Sequence, residues 1–496
     1  MSYIAALAKL SKDRISSFVN SGRDAEIKRL RTLVQASYYS ATSESPSMDF
    51  SFAGSESIND ALKTDLNTLR NRIRYELRQN GPAKGMLKTY ANSCVSTGPS
   101  LSIESTDKAW NEQAERAFSK WADQAGFTCN QSLGELLHLY VRQFFIAGEF
   151  FNIYKSDNDS LNPVKLKLLP IRPDRVASPF TMDNNSFAGI TLKNGKPYSY
   201  SILKSYGVSS GINQAIGEYD IETVDNVSHI FIYDEPEQLR GEPWLAAGLP
   251  DLHKKRRYDE ARVAAAVVAA KFAVFITANS AEIDPSDILP DGVIELNDGA
   301  ATILPPGYGI SSFSGAQPAA GATDFRREMI ANAGAAAGMS SNASNNDSGN
   351  SNFASARYDD VGFSLEQGVT RSVISNRFLN VVASKWVKEA AAVRSIGTPP
   401  AEYRFIWRWP MAGRHTDPLK AANANAKRLS TGEVTLPTIW AEQGIDKEKG
   451  RAELLDDIDW FDKFGLVHPL INYIDDEQSN IDDKDEDENE IDNNDK

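Results

Sequence analysis

Cysteine is nearly absent: only Cys94 and Cys129 occur in 496 residues. Two are too few for a disulfide framework, and neither stands in a CxxC or CxxH spacing that would hold zinc. A reducing compartment is the expectation. Histidine is also scarce. His138, His229, His253, His415 and His468 are scattered singly, with no HxxxH or histidine-plus-carboxylate spacing, so each reads as a structural or surface residue rather than a ligand or general base. Long hydrophobic runs are missing too. The longest, Val263 to Ile276, is interrupted by Lys271 and falls short of the roughly 18 to 20 residues that cross a bilayer. Lys9, Lys12 and Arg14 break the short apolar N-terminus, which lacks the uninterrupted core of a secretory signal. Neither a membrane partner nor export is expected.

The chain has no excess of positive charge. Lys and Arg number 53 against 67 Asp and Glu, a formal net charge of -14. Twelve of the acids lie between Asp475 and Lys496, accompanied by Lys484 and Lys496 alone, which leaves 51 basic and 55 acidic residues in a nearly neutral body. A protein that wraps nucleic acid tightly needs clustered Lys and Arg to neutralise phosphates, so that class is disfavoured. With 41% apolar and 24% charged residues, the bulk of the chain folds, and its length predicts about three domains.

The fold class expected is α+β and predominantly helical. Ile58, Leu62, Leu66, Leu69, Ile73 and Leu77 recur at helical spacing, and Asn80-Gly81-Pro82 supplies stop and restart signals. Trp110, Ala114, Phe118 and Trp121 mark another helix, and Leu133 to Phe145 a further one. After Phe150 the period shortens. Val164-Leu166-Leu168 alternates with lysines, Asn194-Gly195 punctuates a hairpin before Tyr198 to Ile202, and Ser228 to Tyr233 reads as a strand. Pro243 is expected to open an Ala- and Val-rich helix from Trp244 to about Ala270. Short strand-like pieces, Val293 to Leu296 and Ala301 to Leu304, follow among Gly and Pro. A second helix is expected from an N-cap at Thr323 or Asp324 to Gly338. From Ser340 to Asn352 ten of thirteen residues are Ser or Asn, predicting a mobile, solvated loop. Beyond it, Phe363, Thr370, Ile374, Phe378, Val382 and Trp386 stripe a long helix in which Gly362 and Gly368 predict a kink. Glu402 to Trp409 alternates as a strand, three short helices end near Asp456, and the acidic terminus is expected to stay disordered.

No catalytic constellation emerges from the residues. Gly207-Val208-Ser209-Ser210-Gly211 has nucleophile-elbow spacing without the strand before it and helix after it that would expose the serine. Gly189 to Pro197 contains a Gly-Lys pair, but the glycine spacing is wrong for a phosphate loop and Pro197 stands where Ser or Thr would hold magnesium. Asp359-Asp360 and Asp456-Asp457 would need further ligands brought in by folding to bind a metal. No cofactor is expected. Lys254-Lys255-Arg256-Arg257, early in the Ala-rich helix, reads as a solvated or subunit-facing collar, with a phosphate grip as the alternative.

Four strings, in order, resemble the lambda-type bacteriophage portal proteins. They are Asn80-Gly81-Pro82-Ala83-Lys84-Gly85 with Ser96-Thr97-Gly98-Pro99; Pro236-Glu237-Gln238-Leu239-Arg240-Gly241-Glu242-Pro243-Trp244-Leu245; Asn352-Phe353-Ala354-Ser355-Ala356-Arg357; and Asp417-Pro418-Leu419-Lys420-Ala421 with Gly432 and Gly444-Ile445-Asp446. The resemblance covers roughly Ile58 to Asp456. It departs from the family in lacking a Gly-Val-Pro-Tyr string after Gly338 and in its Ser/Asn-rich loop.

The resemblance implies a portal fold of wing, stem, clip and crown that assembles as a dodecameric ring at one capsid vertex, non-enzymatic, and a conduit for packaging and ejecting double-stranded DNA. It implies an N-terminal arm at 1–57, a wing at 58–243, stem helices at 244–271 and 323–338 around a clip at 272–322, and a tunnel loop at 339–352. A kinked wing helix and strand at 353–414, a crown at 415–470 and an acidic tail at 471–496 complete it. Large terminase, head-tail connector proteins and major capsid or scaffolding protein are the implied partners, in a virion assembled in the bacterial host cytoplasm. DNA that must slide is served by a lining that holds phosphate weakly, so Asn342, Asn345, Asn346 and Asn350 are expected to face DNA. Lys254, Lys255, Arg256, Arg257, Arg326 and Arg327 are expected as stem or intersubunit contacts, Arg326 or Arg327 alternatively as a sparse phosphate contact. A metal-dependent DNA-processing enzyme of the packaging apparatus, or a scaffold or adaptor protein, is the alternative.

Overall fold

A computed structural model describes residues 57–466 except 161, 180–185, 205–217, 272–274, 279–307, 312–320, 348–352, 411–417, 444 and 446. The strand-like pieces expected within 293–304, the elbow-like pentapeptide at 207–211, Asp417, Asn350, His415, His468, the N-terminal arm and the acidic tail therefore lie outside the described residues.

The first helix, α1 (Ile58–Gln79), is capped by Ser57, whose hydroxyl accepts from the Asp60 amide, and buries Leu62, Leu66, Leu69, Ile73 and Leu77. It stops at Asn80, and α2 (Gly81–Val95) restarts at once, as the Asn-Gly-Pro signal predicts. Strand β1 (Ser100–Ser105) was not anticipated, because its partner, β11 (Tyr403–Arg408), lies about 300 residues away. Helix α3 (Lys108–Ala122) buries Trp110, Ala114, Phe118 and Trp121, and α4 (Leu133–Ala147) opens on a reciprocal capping box between Ser132 and Glu135.

Next come β2 (Glu149–Ser156), β3 (Leu166–Ile171), β4 (Ser186–Phe187), β5 (Ile190–Lys193), β6 (Lys196–Leu203), β7 (Tyr219–Thr223) and β8 (Val227–Phe231). They form two antiparallel sheets, ordered β3-β2-β8 and β4-β5-β6-β7. Asn194 and Gly195, both at positive φ, make the tight turn between β5 and β6. Phe151, Ile153, Ile171, Val176, Tyr200, Ile202 and Val227 share one core with Ile190.

Helix α5 spans Leu249–Lys271, five residues later than expected. Residues 244–248 are turns, with the Ala246 amide bonded to the Pro243 carbonyl at 2.8 Å, and Pro250 rather than Pro243 occupies the first helical turn. Strand β9 (Phe275–Ala278) pairs with β10 (Tyr308–Ser311). Helix α6 (Ala322–Ala335) begins after Gly321 in the left-handed conformation, correcting the expected cap at Thr323 or Asp324. The Ser/Asn-rich segment is partly ordered: α7 (Ser341–Asn345) is capped by the Ser340 hydroxyl.

Helix α8 (Phe353–Ile374) passes through Gly362 and Gly368 without interruption; the irregularity is a π turn at Ser375–Leu379, leading into α9 (Asn380–Ala392). A wider turn changes helix phase where two glycines merely lower propensity. Three helices follow: α10 (Pro418–Ser430), α11 (Leu436–Glu442) and α12 (Lys447–Lys463), the last extending beyond Asp456.

The chain divides into two compact units. The first takes in residues up to Thr89, Phe145–Ala147 and Glu242–Phe363; the second holds Tyr90–Phe144, Gly148–Gly241 and residues from Ser364 onward. No helix among the described residues is long and apolar enough to cross a membrane.

Candidate functional site

Within the first unit, α6 and α7 are held together by a close approach. A side chain at Gly334 would overlap the Ser344 side chain, so glycine lets Ser344 seat against α6, where it is buried. The Ser344 hydroxyl donates to the Ser340 carbonyl at 2.8 Å. Composition alone pointed to a solvated loop; the capping serine and the Gly334 notch make its first part a docked helix instead.

Three of the asparagines are consequently engaged. Asn342 donates to Asp359 at 3.1 Å. Asn345 donates to the Arg327 carbonyl at 3.3 Å and to the Ser341 carbonyl at 3.0 Å. Asn346, exposed and at positive φ, accepts from the Thr89 hydroxyl at 2.8 Å.

The basic residues separate by helix face. Lys255 is buried and pairs with Asp259 at 2.8 Å, and Arg326 meets the other oxygen of that carboxylate at 2.7 Å. Asp259 thus ties α5 to α6. Arg256 grips the buried Glu76 of α1 through its Nε and Nη2 atoms (2.9–3.3 Å) and reaches Glu260 at 3.1 Å. The Glu76 hydrogen bonds raise its pKa further. Arg327 pairs with Asp347 at 3.1 Å. Lys254 lies 3.5 Å from Asp251 on the exposed side, where Arg257 also lies. Four of the six cations therefore meet carboxylates of the same unit at 3.1 Å or less. Such a surface offers little net charge to a phosphate backbone.

The second unit contains a cluster that the sequence reading missed. Glu149 at the start of β2 is fully buried, and Arg240 holds it with two donors, Nε at 2.9 Å and Nη2 at 2.5 Å. The remaining guanidinium hydrogens go to the carbonyls of Pro173, Val176 and Ala188. The other carboxylate oxygen accepts from the Gly241 amide and faces His229 Nε2, both at 2.9 Å. Gln238 completes the turn by accepting from the Asp234 amide and donating to the Arg240 carbonyl. Burial lowers the His229 pKa despite Glu149. Of the other described histidines, His138 bonds the Ser96 carbonyl and His253 lies beside Arg256. A carboxylate set in the run Glu149-Phe150-Phe151 was the available signal, since a charge among aromatics needs a partner. The Gln238–Gly241 part of the recognised string is thus a buried staple. Among the described residues, no group of three His, Cys, Asp or Glu could hold a metal ion.

The geometry defines a mostly helical α+β protein in which Lys255, Arg256, Arg326 and Arg327 pair with acids of their own unit. The chain belongs to the lambda family of phage portal proteins, which matches residues 45–364. The probable portal protein of Halomonas phage phiHAP-1 is similar, at 24% identity over 284 residues, 55% of each chain. The chain thus spans about half the length of that curated relative. Solved structures with some likeness include a chain of the virion of a native gene transfer agent particle (12% identity, TM-score 0.42, covering 76% of this chain and 92% of that one). Another is an HK97-family phage portal protein from Corynebacterium diphtheriae (11% identity, TM-score 0.33, 71% and 98% covered).

Proposed function

We propose that this protein is the non-enzymatic subunit of a closed ring, dodecameric in the expected form, at one capsid vertex of a virion. The ring serves as the conduit for double-stranded DNA in packaging and ejection, and as the docking site for large terminase, head-tail connector proteins and major capsid or scaffolding protein. Membership of the portal family supports this reading. The structural observation that carries ring closure is α8. Its Phe363, Gln367, Thr370 and Ile374 are buried, while Tyr358, Val361, Leu365 and Val369, on the other side, are 54–82% exposed. A helix apolar on two faces needs a second covering surface. Val263 and Val267 on α5 are likewise exposed, 64% and 48%.

In this reading α5 and α6 are the stem, β9 and β10 belong to the clip, α8 and α9 form the wing helix, and α10–α12 the crown. Asn346 is the described asparagine best presented to DNA, with Asn342, Asn345 and Asn350 beside it in sequence. Lys254 and Arg257 serve as intersubunit contacts, and the cations at 255, 256, 326 and 327 as stem contacts within the subunit. Light scattering of purified Leu365→Asp against the parent chain tests the reading. The parent should run as a ring-sized oligomer and the variant as smaller species. A parent chain that stays monomeric under all assembly conditions would overturn it.

A further inference from the structure

A groove of about 620 Å³ lies in the crease between α11 and α12, within the second unit. Its apolar lining is Trp440, Ile445, Leu454 and Trp460; its acidic residues are Glu453, Asp456 and Asp457. The groove is built by close packing: a Cβ at Gly450 would come 2.7 Å from the Trp440 ring, so glycine lets α12 lie flat against that indole. Trp460, 51% exposed, is braced by Phe461 and Phe464 at centroid distances of 5.2 and 4.9 Å.

Charge is arranged with equal bias. From Glu453 to Asp462, α12 carries five acidic residues and no basic one. Two of the helix's earlier cations reach α3: Lys447 lies 3.3 Å from Glu115 and Arg451 3.8 Å from Glu112. Indole faces beside carboxylates suit a side chain with an apolar stem and a cationic head. Arginine fits best, because its planar guanidinium stacks on an aromatic ring while its edge hydrogen-bonds carboxylate. The same acids repel nucleic acid.

We infer that this groove is a docking site for a basic, amphipathic protein segment, with arginine side chains laid over Trp460 and Trp440 and paired with Asp456 and Asp457. The inference does not rest on the conduit reading, since the groove needs neither a ring nor DNA.

The test is fluorescence anisotropy of a labelled helical peptide of alternating Leu and Arg faces, titrated with the full chain, with a Glu-for-Arg peptide as control. The Arg peptide should bind and the Glu peptide should not. Trp460→Ala and the double variant Asp456→Asn/Asp457→Asn should each weaken binding about tenfold, and added salt should weaken it further. Both changes are at exposed positions, and matching thermal melts verify that the variants fold. All variants retain the acidic residues from Asp475 onward, so peptide captured by those charges would bind every variant equally. Equal affinity for parent and variants, or binding of the Glu peptide, overturns the proposal. Whether this chain forms rings affects neither outcome.

Discussion

Arg240 and Glu149 are 91 residues apart in sequence and form a fully buried pair, with three further carbonyls accepting from the same guanidinium. The pair fastens the Gln238–Gly241 turn to the start of β2. A side chain at Gly241 would run into the Gly148 carbonyl, so the two segments meet backbone to backbone. Removing one partner of a buried ion pair strands the other charge, at a cost of about 3–5 kcal/mol. Arg240→Ala should lose about that much in urea unfolding. Arg240→Lys should recover little of it, because a single ammonium cannot satisfy acceptors on several sides. A change below about 1 kcal/mol in Arg240→Ala would contradict this role, since it is the upper bound for an exposed pair.

Acid should weaken the fold through His229. Its ring stacks on Phe151 at 4.1 Å and lies near Tyr200 and Phe231, with Glu149, Arg240 and Arg377 as the charged neighbours. Burial lowers its pKa below the ordinary 6.5. As pH falls through 6.5 the unfolded chain takes up a proton that the native chain refuses, so this part of the stability is full above that pH and declines below it. The urea midpoint should therefore drop between about pH 7.5 and 5.5, and His229→Gln should flatten the drop. An unchanged slope in the variant would refute the assignment.

The two thiols should differ sharply. Cys94 is buried and its pKa is pushed up to about 12 by burial, whereas Cys129 is exposed. Maleimide at neutral pH should give one adduct, at Cys129, until denaturant is added. Two rapid adducts on the native chain would show that Cys94 is accessible.

What could be read from the residues was local. The stripe of α1, the Asn194-Gly195 turn and the Ser132–Glu135 capping box depend on neighbours in sequence, and each was legible or has a local signature. The β1–β11 pairing and the Glu149–His229–Arg240 cluster depend on separations of 80 residues and more, which no spacing rule sees. Pro243 misled because Pro250, seven residues on, serves the helix start equally well. The Ser/Asn-rich segment misled because composition sets solubility, while a notch at Gly334, outside that segment, decides where Ser344 packs.

The central claim is tested most directly by negative-stain imaging of the purified full-length chain. The account predicts closed rings with an axial channel wide enough to admit double-stranded DNA. Particles without a central opening, or rings too narrow for a duplex, would contradict it.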